Sequence, residues 1–121
     1  MKIIIKRMFD APKKEDGFRV LVDRLWPRGV SKKSGRIDTW LKNVAPSSKL
    51  RIWFHASKVE RLTEFERLYS REIKDSQDLT GLKNILREKT RVTLVTAVAD
   101  FKHSHLPILV KNLSSSEKKE D

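Results

Sequence analysis

Two short polar segments of the sequence hold most of the side chains that could do chemistry. The first lies in RVLVDRLWPRGV (19–30), where an apolar run breaks abruptly into Asp23, Arg24, Trp26, Pro27, Arg28 and Gly29. The second is DFKHSH (100–105), which contains Asp100, His103 and His105. Arginine offers a planar fork of donors that matches phosphate or carboxylate, and histidine titrates near neutral pH. Together these residue types indicate anion binding or proton transfer.

The first segment has two interpretations. Arg24 and Arg28, followed by the basic loop SKKSGR (31–36), predict a clamp for an anionic group. In the alternative, Asp23 pairs with one arginine and closes the end of a strand, while Trp26 packs as a lid on the core. As predictions to be tested, we take Asp23 as a catalytic residue and Arg24, Trp26 and Arg28 as ligand-binding residues.

The second segment also has a functional and a structural interpretation. His105 precedes a predicted helix N-terminus, where backbone N–H groups favour an anion. In the functional interpretation His103 or His105 moves protons, and Asp100 orients them or acts as a base. In the structural one, each histidine makes only local hydrogen bonds. A divalent metal held by these three residues is a weaker alternative, and we predict no metal and no cofactor.

Two further residues stand alone in the sequence. His55 lies at a predicted helix end, where a histidine commonly caps backbone carbonyls, and Tyr69 lies on or beside the packed face of a long helix. Both are expected to be mainly structural. A tyrosine hydroxyl that reaches the binding site could still donate to a ligand, so Tyr69 is kept among the ligand-binding candidates.

The elements that must position these residues follow from hydrophobic patterning. Continuous β-branched runs predict buried strands at about 2–8, 20–22 and 92–99. Spacings of three and four that begin at Val59 predict a helix over 58–74 with Val59 on its apolar face. Shorter helices are predicted after an Asp38 N-cap, after Ser47 or Ser48, at 80–89 and from Pro107 onward.

This order of elements indicates an α/β fold with a small, mainly parallel sheet flanked by helices. We expect one domain over 1–113 and a disordered polar tail over 114–121. In such sheets ligands bind outside the carboxyl ends of the strands. Both polar segments follow strands, so both are predicted to lie on the same rim of the sheet.

Composition narrows the classes of function. The chain has 121 residues and no cysteine, which excludes disulfides, thiolate metal sites and cysteine nucleophiles. The opening MKIIIKRM is too short for a signal peptide or a membrane span, so a cytoplasmic protein is expected. Residues 1–36 carry 11 Lys and Arg against 4 Asp and Glu, which supplies most of the net charge of +11. Anionic partners are therefore favoured.

Several motifs together carry a resemblance to a known family. RVLVDRLWPRGV (19–30), DTWLKNVAPSSKLRIWF (38–54), the E-F-x-x-x-Y pattern ending at Tyr69, and VTLVTAVADFKHSH (92–105) are similar to the YeaO-like branch of domain-of-unknown-function family 488. The resemblance runs over residues 2–113. It implies a compact α/β domain in which an Asp-Arg loop and a His-containing loop are the shared features.

The chain departs from the pattern of that branch at two positions. Members usually have Lys just before the Asp of the second motif and an aromatic residue three positions earlier, whereas this sequence has Ala99 and Thr96. The Cys-His-Arg of the broader family is also absent. If that Lys works in relatives, these departures imply that binding is better supported here than catalysis.

The sequence therefore predicts a basic pocket that binds, and in one variant processes, a phosphate-bearing ligand such as a nucleotide. No P-loop, G-x-G-x-x-G, G-x-S-x-G or H-E-x-x-H motif is present, so enzymatic activity is left open. The alternative is a nucleic-acid-binding module without chemistry, which would use the basic N-terminal third. No residue pattern specifies an oligomeric state.

Overall fold

The structure, a computed structural model, describes residues 3–120, with side chains as far as residue 114. Four strands and four α-helices follow one another in the chain. They are β1 (Ile4–Arg7), β2 (Phe18–Leu21), β3 (Thr39–Trp40), α1 (Ser48–His55), α2 (Lys58–Ile73), α3 (Gln77–Glu88), β4 (Val92–Thr96) and α4 (Leu106–Glu120). Short 3₁₀ turns occupy 14–16, 32–34 and 42–44. The domain is α/β, as the sequence predicts.

The sheet has the order β1-β4-β2-β3, and every strand pair is parallel. All five residues of β4 are buried, in keeping with a central strand that is covered on both faces. Leu94 lies between Ile5 and Val20 in register, and Val95 lies between Lys6 and Leu21. Because the strands are parallel, their carboxyl ends share one rim.

The four helices pack on one face of the sheet. Val20, Val22, Val92 and Leu94 point to this face and join apolar side chains of all four helices in the main core. Phe65, Tyr69 and Ile73 supply the buried stripe of α2, and Leu82 and Leu86 that of α3. The spacings of three and four along the sequence therefore predict these two helices correctly.

The other face of the sheet is covered by loops. Met8, Leu21 and Val95 form a second buried cluster, packed against Trp40 of β3 and against Trp26, Val30 and Ile37 from the long connection between β2 and β3. The expectation that helices flank the sheet therefore holds on one side only. This connection is the segment that carries the first polar motif.

Three sequence predictions about local structure are wrong. Asp38 does not cap a helix; its carboxylate accepts a hydrogen bond from the Arg19 N–H at 2.8 Å, so the next two residues pair with β2 as a strand. The first strand is not buried, because β1 lies at the sheet edge and Ile4 is 36% exposed. Val59 is 74% exposed and lies off the apolar face of α2.

Two further boundaries differ from the expectation. Helix α3 begins at Gln77, three residues before the predicted start, because the Ser76 side chain accepts hydrogen bonds from the next turn. Strand β4 ends at Thr96, since the Ala97 N–H donates to a side chain of the rim and not to a neighbouring strand. Two other helix starts agree, with Ser47 as the N-cap of α1 and Pro107 in the first turn of α4.

The expected disordered tail over 114–121 lies almost wholly on residues whose side chains fall outside the described part of the chain, so it stays a prediction. None of the described helices has the length and apolar character needed to cross a membrane.

A buried charge cluster fixes the start of β2, at the opposite end of the sheet from the polar rim. Asp16 is 5% exposed, and its carboxylate accepts hydrogen bonds from Lys6 and Arg19 and from the Lys13 N–H. Burial acts to raise the pKa of Asp16, but these hydrogen bonds outweigh it and hold the pKa below its usual value. Gly17 follows with φ 66°, pressed against Arg91 where a side chain would collide.

Asp16→Asn should lower the free energy of unfolding by about 3 kcal/mol, because two largely buried cations, Lys6 and Arg19, lose the carboxylate that they share. Urea unfolding measures the change. Asp10→Asn is the matched control, since the Asp10–Arg7 pair is 3.7 Å apart and half-exposed; it should change stability by less than about 0.5 kcal/mol. Equal effects from both variants would contradict a structural role for the Asp16 cluster.

Candidate functional site

A cavity of about 420 Å³ opens at the carboxyl ends of β2 and β4. Residues 23–28 line one side of it, residues 97–98 and 103–105 a second, and side chains of α1 and α2 close a third. The two polar segments, about eighty positions apart in sequence, therefore meet at one hollow. Of the nine candidate and motif positions in these segments, seven line the cavity; Gly29 and Asp100 do not.

Asp23 joins the ends of the two central strands. Its carboxylate accepts a hydrogen bond from the Thr96 hydroxyl at 2.6 Å and another from the Ala97 N–H at 2.7 Å. Its backbone carbonyl accepts from the Trp40 indole at 2.8 Å. Thr96 thus provides a hydroxyl that occupies one oxygen of Asp23.

His105 lies beneath the rim and is 8% exposed. Its Nε2 donates to the Val22 carbonyl at 2.9 Å and lies 3.8 Å from an oxygen of Asp23. Burial lowers the pKa of His105, and the attraction of Asp23 and the Val22 carbonyl offset this only in part. The imidazole is therefore neutral at pH 7, with Nδ1 as its acceptor atom.

Tyr69 supports His105 from below. The two rings meet edge to face with centroids 6.0 Å apart, and the Tyr69 hydroxyl donates to the buried Val44 carbonyl. Burial, reinforced by the charge of Glu72, raises the pKa of Tyr69 well above its usual value, so the phenol stays neutral. This residue is fully buried and outside the cavity lining. Its placement favours a structural role over ligand contact.

The two arginines of the first motif differ in their surroundings. The Arg24 guanidinium donates to Asn43 Oδ1 at 3.0 Å and to the carbonyls of Ala45 and Pro46 at 2.9 and 3.3 Å. It thus ties the end of β2 to the segment that leads into α1. Arg28 is exposed and makes no hydrogen bond or ion pair to any described residue. Arg28 is the arginine of this pair that is available for a ligand.

Trp26 both packs against neighbouring residues and borders the cavity, the two placements that the sequence allows. Its indole N–H donates to the Val30 carbonyl at 2.6 Å, and its ring meets Trp40 edge to face at 5.5 Å. The same residue lines the cavity. Gly29 completes the motif with φ 81°, a left-handed turn that glycine adopts without strain.

Asp100 and His103 form an exposed pair at the mouth of the cavity. An oxygen of Asp100 lies 2.8 Å from His103 Nδ1, and its other oxygen accepts from the His103 N–H at 3.4 Å. The hydrogen bond from His103 lowers the pKa of Asp100, and the charge of Lys58 adds to this. The pair leaves His103 Nε2 free of Asp100.

The structure does not bring together the three residues of the metal alternative. Asp100 and His103 pair at the surface, while the His105 Nε2 atom is bonded to a backbone carbonyl inside the domain. Within the described residues, no group of three His, Asp or Glu side chains could hold a metal ion.

Three cavity residues were missed from the sequence. Arg51, His55 and Lys58 line the hollow from the end of α1 and the start of α2. The sequence predicts that His55 caps its helix end, but no such hydrogen bond forms among the described residues. The side chain is instead exposed at the cavity. Arg51 and His55 are four residues apart and share a helix face, a signal that becomes informative once that face is known to turn toward the rim.

The contrast between the two arginines gives a test of the scaffold. Arg24→Ala should lower the free energy of unfolding by about 2 kcal/mol, since it leaves buried carbonyls without donors. Arg28→Ala should change it by less than about 0.5 kcal/mol, because the side chain is exposed and unpaired. Urea unfolding measures both variants, which make the same chemical change. If Arg28→Ala loses as much stability as Arg24→Ala, the assignment of Arg24 to the scaffold and Arg28 to the free surface is contradicted.

His105 gives a test by pH. Because its folded-state pKa is lowered, the unfolded chain takes up a proton that the folded chain does not, and stability should fall as pH drops through about 6.5. His105→Gln should be less stable at pH 7.5 but show a smaller fall toward pH 5.5, as measured by urea unfolding. An unchanged fall in the variant would show that other groups cause it.

Comparison with known proteins agrees with the motifs. The profile described as "Inactive DUF488-N3 subclade" matches residues 2–121. An uncharacterized protein of Mycobacterium tuberculosis H37Rv is 39% identical over 113 residues, which cover 93% of this chain and 94% of that protein. The uncharacterized protein YeaO of Escherichia coli K12 is 35% identical over 115 residues, which cover 95% and 99%. No solved structure matches the chain. The chain therefore belongs to the DUF488-N3 family, in the subclade described as inactive.

Proposed function

We propose that the domain binds a phosphate-bearing ligand of about nucleotide size in the cavity at the strand ends, and that binding rather than a reaction is its function. The observation that carries the proposal is the uneven charge of the cavity. Its lining includes four Lys and Arg side chains and three histidines but a single carboxylate, Asp23, which is already bonded on both oxygens. A cavity of this kind attracts anions.

The groups that would perform catalysis are engaged in holding the fold. Asp23 accepts two hydrogen bonds, and His105 is neutral and donates to a backbone carbonyl. A general base must reach the proton that it removes; both oxygens of Asp23 are occupied, and His105, which is 8% exposed, keeps only Nδ1 as an acceptor. The family description as inactive supports binding over a reaction. His105 Nδ1 and the exposed Asp100–His103 pair are the remaining candidates for proton transfer.

The observations favour a pocket over a nucleic-acid-binding surface. Several cations of the basic N-terminal third have internal partners: Lys6 and Arg19 pair with the buried Asp16, and Arg24 is bonded to 43–46. The exposed lysines at 13–14 and 32–33 lie on separate loops. The absence of cysteine suits a reducing compartment, so we propose that the protein acts in the cytoplasm.

Arg28→Ala should abolish the thermal stabilisation that a ligand gives. The wild type is tested with a panel of nucleoside mono-, di- and triphosphates, each at a saturating concentration. At least one compound should raise the melting temperature by several degrees, because a ligand at 100 times its Kd adds about 2.7 kcal/mol to the free energy of unfolding. Differential scanning fluorimetry measures the shift.

Lys33→Ala is the matched control, since Lys33 is exposed, carries the same charge and does not line the cavity. It should keep the full shift. A shift that Arg28→Ala leaves unchanged would remove Arg28 from the site. If duplex DNA binds instead, with an affinity that falls steeply with salt and that both variants weaken equally, the nucleic-acid alternative is favoured.

A further inference from the structure

We propose that the phosphate group of the ligand lies against Arg51, His55 and Lys58, and that His55 takes up a proton from solvent when the phosphate binds. The inference rests on the proposed function. It specifies the wall of the cavity that binds the phosphate group and the wall that contacts the rest of the ligand. The ligand class is a phosphomonoester with an apolar or aromatic body.

The three residues form a single wall. Arg51 and His55 lie one turn apart on α1, and Lys58 begins α2 after a short break. All three line the cavity. The sequence interpretation had placed the anion at Arg24 and Arg28, but Arg24 is bonded to three acceptors of the fold. The strongest remaining concentration of donors is therefore on this wall.

The cations of this wall lack hydrogen-bond acceptors. Arg51 Nε is a buried atom without a partner, one of two such side-chain atoms within the described residues. Neither Arg51 nor Lys58 makes a side-chain hydrogen bond or ion pair there, although the charge of Lys58 is felt by Asp100. An unsatisfied buried donor costs free energy that an incoming acceptor would recover. A phosphate group has several acceptor oxygens and matches the guanidinium fork.

The neighbouring surface of the cavity is apolar. Leu25, which is 64% exposed, lines the hollow together with the partly exposed Trp26 and Val98. The stacked pair Phe54 and Phe65 also lines it but is almost fully buried already. A free phosphate would leave this surface in contact with water. A phosphomonoester whose body is a flat ring would cover it and gain from burial of apolar area.

The charges around His55 explain why its protonation should follow binding. The charged and titratable groups that line the cavity with His55 come from several elements. Arg51 lies on the same helix as His55, and Lys58 lies on α2. Arg24, Arg28 and the bonded Asp23 lie on the β2 rim, and His103 and His105 lie on the β4 side. Burial lowers the pKa of His55, and the charges of Lys58 and Arg51 lower it further. A phosphate dianion on the same wall offsets the positive charges of Arg51 and Lys58 and so acts to raise the pKa of His55. The imidazolium form then becomes favourable.

Linkage fixes the sign of the pH effect. If binding takes up a proton, affinity must rise as pH falls from 8.5 toward 6.5. Below that range the ligand loses its own second charge, since phosphate esters have a second pKa near 6, and the gain ends. Proton uptake is therefore best measured at pH 7.5, where the ligand is a dianion.

Isothermal titration calorimetry of the full chain at pH 7.5, in two buffers of different ionisation enthalpy, counts the protons taken up. The probes are the four ribonucleoside 5′-monophosphates and inorganic phosphate. The wild type should take up a measurable fraction of a proton per bound nucleotide, and His55→Gln should take up none. Lys33→Gln, outside the cavity, should behave as the wild type. Proton NMR of the wild type should show the His55 ring titrating at higher pH with ligand bound; with three histidines in the chain, the variant assigns the signal.

Arg51→Ala should weaken the nucleotide at least about tenfold, the equivalent of 1.4 kcal/mol. Nucleotide bound no more tightly than inorganic phosphate would overturn the assigned ligand class. Proton uptake that persists in His55→Gln, or an NMR titration of His55 that the ligand does not move, would overturn the inference while binding itself stands. No binding of any probe to the wild type would overturn the proposed function and this inference together.

Discussion

The carboxylate of Asp23 is the interaction on which the rim of this domain depends. It bonds the Thr96 hydroxyl and the Ala97 N–H, and so joins the end of β2 to the end of β4 after their ladder has stopped. The neighbouring Val22 carbonyl accepts from His105, which brings the start of α4 to the same point. These bonds extend the contact between the two polar segments beyond the end of the β2–β4 strand pair.

The same bonds limit what the hollow can do. A carboxylate with both oxygens occupied is not free to accept a proton from a ligand, and an imidazole that donates to a backbone carbonyl keeps only its other nitrogen as an acceptor. Arg51 and Lys58, which line the hollow from α1 and α2, have no such partners among the described residues. The groups that hold the rim together therefore form the scaffold, and the cationic groups that face the rim form the proposed binding surface.

Much of the fold could be read from local patterns, because burial imposes them directly. The apolar spacing of α2 and the β-branched run of β4 each reflect one buried environment, and the parallel order places both polar segments on one rim. The strand at Thr39–Trp40 could not be read in this way, since it exists because Asp38 bonds Arg19 across nineteen residues. The wall at Arg51 and His55 likewise depends on which face α1 turns to the sheet, and no local pattern encodes that rotation.

Arg24 shows that the fold alone can require a residue of the motif. Its guanidinium holds three acceptors between residues 43 and 46, so its replacement would disturb the fold whether or not any ligand is ever bound. Stability alone is a sufficient reason to keep this arginine and the aspartate before it. The presence of D-R-x-W-P-R-G in a genome therefore reports common ancestry and a shared architecture, and it says little about whether the encoded protein is an enzyme.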